Sequence, residues 1–439
     1  MFYSFRKSIS LAPATRQRLV AAICQALQSL SRLLHSTAAQ QEKEGVTTVV
    51  PQAFRDAFSC HLYMLYSILF FLESEAKGNS SGTAESADVL ETRKLSADTM
   101  LAAAVAMADH RAVFWQRGVP DESVVVLPCR IAYQMLERST GVLARKAACA
   151  DQALRMIAVT VDSADCLLNT VTAALMDLLH SYEHMAVLVA ELVAMENQSD
   201  RLAVELIREI GRLEGGGEAK VSGIKNVAPF VSELAAVRPR LVLANLSYIL
   251  PHLDSEPYNM RSSIVTALSH ILQHLGRLQQ QQQQETESPV QTDNQDRHTP
   301  VDVSKSQAAL LDLLMDRVYD VSSFTRSAVL KAWIRLTESG SLPKERVLAV
   351  TAMAIDRLQD KTVAVRKQSM HVSYTLRVRL ECLPTTLSFA HPWLCSPFAT
   401  ALDYLAREQS LYGKFGPDPV QTKARGALPL CQEQHAHQH

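Results

Sequence analysis

Apolar residues recur along this chain at helical rather than strand spacing. Val347, Val350, Thr351, Ala354, Ile355 and Leu358 fall at i, i+3, i+4, i+7, i+8 and i+11, one broad stripe of an α-helix, and Leu348 with Ala352 adds a second stripe. In a helix predicted over 322–336, Phe324, Ala328 and Ala332 form one face while Leu330 and Ile334 lie on another. A helix apolar on two sides packs between neighbours, so stacking is expected. Further upstream the spacing predicts helices over 14–36 and 52–75, a resumption near 96, a pause at 118–121 and another helix over 132–143. The strongest run covers 163–195, with Leu168, Val171, Leu175, Leu178 and Leu179 on one face and a turn near 182–184. Asp200 caps a helix that the glycines at 215, 216 and 217 end, followed by a loop to 227.

Polar residues supply a second signal, a repeat. Arg317-Val-Tyr-Asp-Val-Ser-Ser-Phe-Thr-Arg326 and Arg357-Leu-Gln-Asp-Lys-Thr-Val-Ala-Val-Arg366 share an Arg, an Asp three residues later and an Arg six after that, spaced by 40 positions. That is the period of stacked helical hairpins. A looser copy, His252-Leu-Asp254-Ser-Glu-Pro-Tyr-Asn-Met-Arg261, lies upstream with its Asp-to-Arg spacing longer by one. Asp254 precedes Asp320 by 66 residues, of which 27 belong to a polar stretch at 276–302, leaving 39. Each copy follows one apolar helix and opens another. The Asp therefore sits in a tight turn, where it accepts hydrogen bonds from free amides of the second helix and favours its positive dipole end. The Arg six residues on is too far for an i+4 pair, so it is expected to reach the Asp of the next repeat. Asp254, Asp320 and Asp360 with Arg261, Arg326 and Arg366 are read as an architectural ladder. The fold expected is all-α, a solenoid of stacked antiparallel helix pairs.

Composition agrees with that expectation. Of 439 residues 47% are hydrophobic and only 15 are glycine, which suits helices joined by short turns. Lys and Arg number 44 against 45 acids, so the whole chain offers no field for nucleic acid or membrane, and any such surface is local. Eight cysteines with no CxxC pair read as reduced core thiols of an intracellular protein. The apolar run at 62–72 is too short to span a bilayer. The first 41 residues contain no acid but carry Arg6, Lys7, Arg16, Arg18 and Arg32, as a mitochondrial presequence does. A basic first helix with Leu19, Ile23, Leu27 and Leu30 turned inward is the simpler account. The Gln tract at 279–284 and its continuation to 300 is low complexity and expected to be disordered. Within it Ser288 and Thr299 each precede a Pro, the minimal proline-directed phosphorylation site.

Candidate chemistry is sparse. His180-Ser-Tyr-Glu183-His184 matches the HxxEH zinc-peptidase pattern, in which two imidazoles one helical turn apart hold zinc and the Glu activates water. Nothing marks Glu191, Glu205 or Glu209 as a third ligand, and a five-residue match in a chain with 14 histidines weighs little against helix packing. His435, His437 and His439 form a polar tail, no GxxxxGK[ST] loop is present, and no nucleophile–base arrangement rises above background. No cofactor, metal or small-molecule substrate is expected. Arg317, Lys331 and Arg335 in one unit, with Lys344, Arg346, Arg357, Lys361 and Lys367 in the next, are candidates for contact with a phosphate backbone or a partner. A solvated face together with the Arg ladder is the slightly favoured account of them.

Val318-Tyr-Asp-Val-Ser-Ser-Phe-Thr-Arg-Ser-Ala-Val-Leu330, Leu342-Pro-Lys-Glu-Arg346 and Ala352-Met-Ala-Ile-Asp-Arg-Leu-Gln-Asp-Lys-Thr-Val363 resemble the HEAT block of the non-SMC HEAT subunits of condensin, subunit 1 type. Tyr182-Glu-His-Met-Ala-Val-Leu-Val189, Glu205-Leu-Ile-Arg-Glu-Ile-Gly211 and the stretch 252–261 fit in the same order, and 54–73 resembles the family's N-terminal helices. The resemblance implies a HEAT-repeat-like α-solenoid without catalytic residues, located in the nucleus and on mitotic chromosomes, with the cytoplasm in interphase as an alternative. It implies binding to the kleisin and to the SMC heads, and help in holding DNA during chromosome compaction. A phosphatase scaffold or transport receptor would share the period but not the Phe324 and Leu342-Pro343 context. The implied organisation is an N-terminal helical region at 1–225, a HEAT-like repeat at 226–275, a Gln-rich disordered insertion at 276–303 and HEAT-like repeats at 304–370. Family members are far longer, so the chain corresponds to the first part of the arm. Pro384, Pro392 and a broken pattern mark 371–439 as an aberrant, poorly ordered tail from a retained intron, a frame error or an alternative exon.

Overall fold

The computed structural model describes residues 13–45, 48–78, 87–195, 200–213, 218–286 and 300–381. Every regular element among them is helical. The chain divides into two compact units, Met1–Ala332 and Trp333–His439.

In the first unit α1 (Pro13–Glu44) packs on α2 (Gln52–Gly78) and α3 (Ala87–Asp109). α4 (Glu122–Glu137) packs on α2 and on α5 (Ala150–Ser163), and α5 also meets α3. α6 (Leu168–Ser181), α7 (Met185–Ala194) and α8 (Asp200–Gly211) follow, with α6 and α7 both against α9 (Glu218–Val237). α9 packs on α10 (Tyr258–Thr286), and α10 on α11 (Pro300–Asp316). Each helix thus meets neighbours a short way along the chain, as in a solenoid. α12 (Ser323–Glu338) contains the boundary between the units. The second unit holds the paired α13 (Val347–Arg357) and α14 (Val363–Glu381).

Core positions follow the apolar stripes in most places. Val171, Leu175, Leu178 and Leu179 of α6 are buried, as are Val350, Thr351, Ala354 and Leu358 around α13. The second stripes differ from expectation. Leu348 and Phe324 are each 64% exposed, although Ala332, on the same face as Phe324, is buried. Several boundaries also move. The loop expected up to 227 is helical from Glu218, because α9 buries Val227, Phe230, Val231 and Leu234 between neighbours. α10 carries its helix through the Gln tract to Thr286 instead of ending at 276, since Gln is a good helix former and propagation costs little once a helix exists. α14 runs to Glu381, past the expected break at 371. Residues 287–299, with Ser288 and Thr299, and 382–439, with the three terminal histidines, lie outside the described residues.

Two details show how close the packing is. A Cβ on Gly223 of α9 would stand 2.6 Å from His180 Nδ1, and one on Gly211 would stand 2.9 Å from the Tyr248 carbonyl oxygen. Both glycines are therefore contact residues. Within α2, the segment Gln52–Ser74 has the length and apolarity to cross a membrane, a longer stretch than 62–72. One face of it lies in the core, burying Phe58, Leu62, Leu65 and Leu69, while Phe70 is exposed.

At its far end α2 also buries Glu73 completely. The carboxylate lies 2.7 Å from Arg93 Nε of α3, itself fully buried, as an ion pair without hydrogen-bond alignment, and it accepts a hydrogen bond of 2.6 Å from Arg138 Nη1 just after α4. Removing one member of such a group leaves an uncompensated charge in the interior. Glu73→Ala is expected to lower the unfolding free energy by about 3–5 kcal/mol. Arg138→Ala, whose side chain is 20% exposed, is expected to cost about 1.5–3 kcal/mol. Urea midpoints followed by far-UV circular dichroism test the order of the two effects.

Candidate interaction surface at the repeat turns

The two 40-spaced units fold into the same turn. A short 3₁₀ segment, Arg317–Tyr319, leads to Asp320, whose Oδ1 accepts from the Ser322 amide at 2.7 Å just before α12. Asp360 accepts from the Thr362 amide at 2.9 Å ahead of α14. Each aspartate thereby satisfies an amide at a helix start that has no partner within the helix. The arginine six residues on does reach back to its own turn, a contact the i+4 argument overlooked because the acceptor is backbone rather than carboxylate. Arg326 Nη1 donates to the carbonyls of Asp320 and Val321 at 2.7 and 2.9 Å. Arg366 Nη1 donates to those of Asp360 and Lys361 at 2.9 and 3.2 Å. One side chain clasps the turn from below while the Asp fixes it from within.

Contact with the next repeat is present as well. Arg261 of α10 places Nε 3.0 Å from Asp320 Oδ2 and Nη2 3.3 Å from Oδ1, a two-pronged pair with side chains only 7% and 5% exposed. Arg261 Nη1 also donates to the Ser255 carbonyl at 2.8 Å. Ser255, not Asp254, therefore occupies the place of Asp320 relative to its arginine, which explains the extra residue in the looser copy. Asp254 has a different role. Its side chain is 78% exposed and pairs at 2.8 Å with Arg317 Nη1, which also donates to the Leu253 carbonyl at 2.9 Å.

The candidate basic residues separate by type. Lys331 in the first unit, and Lys344, Lys361 and Lys367 in the second, are exposed. Arg317, Arg335, Arg346 and Arg357 are half-buried. Arg317 is held as described, and Arg357 pairs with Asp356 at 2.5 Å and with Asp360 at 3.8 Å. The lysines are thus the solvent-facing charges, while Arg317 and Arg357 help to build the turns.

Beside the turn of the first unit lies an apolar edge that the sequence reading missed. Tyr319 and Phe324 are 64% exposed and Val321 is 96% exposed. Tyr258 stacks on Phe324 with ring centroids 4.8 Å apart and planes 15° apart. Below the stack, Ser262 and Thr325 hydroxyls hydrogen-bond at 3.3 Å. The available signal was compositional, since a tight turn between helices is ordinarily polar, yet this one carries Tyr, Val and Phe within six residues. A contiguous exposed apolar edge on a fixed turn is suited to docking another protein.

The HxxEH residues do not form a site. α6 ends at Ser181, Tyr182 takes extended angles (φ −135°, ψ 120°), and His184 precedes α7, so the two imidazoles are not on one helical turn. His184 Nε2 lies 3.1 Å from the Leu136 carbonyl oxygen, and His180 packs against Gly223 while its carbonyl accepts from Asn226 Nδ2 at 2.8 Å. Glu191 is paired with Arg145, Glu205 with Arg208 and Glu209 with Arg212. Among the described residues no group of three or more potential metal ligands occurs. Nucleophiles are also subdued. Burial pushes the thiol of Cys129 up to about 12, that of Cys149 up to about 11 and that of Cys24 upward, which keeps all three protonated at neutral pH.

Helix pairs joined by clasped turns make this an α-solenoid repeat protein. No family model matches the chain. It is 26% identical over 262 residues to condensin complex subunit 1 of Xenopus laevis, covering 59% of this chain and 18% of that protein. It is 31% identical over 204 residues to condensin-1 complex subunit CAP-D2 of Arabidopsis thaliana, covering 46% and 14%. Over 285 residues it is 28% identical to condensin complex subunit 1 of Mus musculus, covering 63% and 19%. The chain is a homologue of condensin complex subunit 1, and it spans less than a fifth of the length of the curated relatives it matches.

Two outcomes follow from the turn geometry. Asp320→Ala deprives Arg261 of its buried partner and is expected to cost about 3–5 kcal/mol, whereas Asp254→Ala, at an exposed pair, is expected to cost under about 1 kcal/mol. Indistinguishable urea midpoints for the two variants would contradict this assignment. Alkylation with N-ethylmaleimide at neutral pH, mapped by mass spectrometry, is expected to modify exposed Cys60 and Cys166 and to leave Cys24, Cys129 and Cys149 unmodified until the protein unfolds.

Proposed function

We propose that this chain acts by binding alone, as a scaffold subunit of a condensin-type complex that docks the kleisin and SMC subunits and helps hold DNA on mitotic chromosomes. The observation that carries this reading is the match to condensin complex subunit 1 proteins over 204 to 285 residues. The turn geometry supports it physically. A scaffold must present surfaces at fixed positions, and turns whose backbone carbonyls and amides are tied by Asp and Arg do not reorganise on binding. Exposed Tyr319, Val321 and Phe324, with Phe324 stacked on half-buried Tyr258, fit the apolar centre of a protein interface. Exposed Lys331, Lys344, Lys361 and Lys367 fit contact with phosphate groups, which needs positive charge but no base reading. Localisation to the nucleus and to mitotic chromosomes belongs to the same proposal.

A pull-down from mitotic extract with the 439-residue chain as bait, read by mass spectrometry, tests it. Recovery of kleisin and SMC subunits supports the reading. Recovery of neither by folded bait, in an extract where a full-length condensin complex subunit 1 recovers both, overturns it. Phe324→Ser with Val321→Asp is expected to reduce capture about tenfold or more, with the circular dichroism spectrum unchanged because both side chains face solvent.

A further inference from the structure

Arg145, Arg261 and Arg317 each face a carboxylate, whereas Arg240 faces a histidine. Arg240 stands in the short helix Pro239–Ala244, which packs on α10, and its Nε donates to His274 Nε2 of α10 at 3.0 Å. A guanidinium stays charged at any physiological pH, so His274 accepts through an unprotonated nitrogen and is the neutral member of the pair. Three residues on, Arg277 lies on the same face of α10, its Cβ about 5–6 Å from that of His274. Both arginines are exposed, and among the described residues neither pairs with a carboxylate. Burial lowers the pKa of His274, and the charges of Arg240 and Arg277 lower it further. Two guanidiniums thus flank one imidazole, and the described residues supply no negative charge to balance them.

The donors left over favour a compact dianion. Arg240 is engaged through Nε alone, which leaves both Nη groups for a further acceptor. Planar guanidinium forks match phosphate oxygens two at a time. A phosphorylated serine or threonine carries about −1.5 to −2 on one group, the charge that two guanidiniums at one point would balance. A nucleic-acid backbone instead spreads one charge per phosphate and is gripped by a stripe of cations. Here the next cation along the chain, Arg238, is taken by Asp200 and does not extend the positive surface. The whole chain, at net charge −1, adds no field that would draw in a polyanion.

We propose that Arg240 and Arg277, with His274 holding Arg240 in place, bind a phosphorylated serine or threonine of a partner protein. His274 stands 16 residues, about 24 Å, along α10 from Tyr258, so this surface is separate from the Tyr258–Phe324 stack. The inference does not rest on the kleisin and SMC reading.

Retention of peptides on the immobilised 439-residue chain, quantified by mass spectrometry, tests it. The probes are a degenerate peptide mixture with a central phosphoserine or phosphothreonine and its unphosphorylated counterpart. The phosphorylated mixture is expected to be retained at least about tenfold more strongly. Arg240→Ala with Arg277→Ala is expected to remove that preference and to leave the circular dichroism spectrum unchanged, because both side chains are exposed. Arg277→Glu alone is the second variant, used if the double substitution loosens the helix Pro239–Ala244, and it is expected to reduce the preference about tenfold. Equal retention of the two mixtures overturns the proposal, as does a preference that survives in a folded double variant. Binding of a short DNA duplex that falls with the double substitution while peptide retention does not would assign the arginines to nucleic acid, and overturns it too.

Discussion

The buried pair between Arg261 and Asp320 sets the geometry on which the repeats of the first unit depend. Two charges taken from water cost several kcal/mol each, and their attraction offsets this only when the remaining hydrogen-bonding positions are filled. Here they are filled. Asp320 also receives the Ser322 amide, and Arg261 also donates to the Ser255 carbonyl. An ion pair with so many required partners has few alternative arrangements. Its value is therefore as much in specifying which turn sits against which helix as in net stability. Apolar stripes alone allow neighbouring helices to slide by a turn at little cost, and a single buried charge pair forbids it.

The same reasoning explains why similar charges carry unequal weight. Arg317 and Asp254 approach to 2.8 Å, but the aspartate is 78% exposed and water screens the pair. Glu73, Arg93 and Arg138 in the first unit form the opposite extreme, with two of the three side chains fully buried where α2, α3 and the end of α4 meet. Turn clasps and buried ion groups let short connections hold long helices without glycine-rich flexibility. Where glycine is used inside the helices at 211 and 223, a neighbouring residue fills the space a Cβ would need.

A rigid frame of this kind suits a protein that works by presenting surfaces. Its turns leave Tyr319, Val321 and Phe324 in solvent. His184 is tied into packing, and the thiols of Cys24, Cys129 and Cys149 are held protonated by burial. The chain is a homologue of condensin complex subunit 1, and its helix pairs joined by fixed turns are those of a repeat scaffold.

Period and polarity were legible without coordinates. Local hydrogen bonding is encoded within a few residues, so the 40-residue recurrence, the Asp at the start of the second helix and the turn near 182–184 all follow from spacing. Helix extents were less legible. The span 218–227 and the Gln tract to Thr286 carry weak local patterns, and burial of α9 and propagation of α10 decide them. Only tertiary structure could show that Ser255 rather than Asp254 takes the turn position, and that Glu73 meets two arginines from distant segments. It also showed that Phe324, though stacked on Tyr258 at the start of α10, leaves most of its surface in water. The residues themselves determined that this chain makes clasped helix pairs, because those forces act locally. Which faces are covered and which charges are desolvated depends on groups far apart in sequence, and packing alone brings them together.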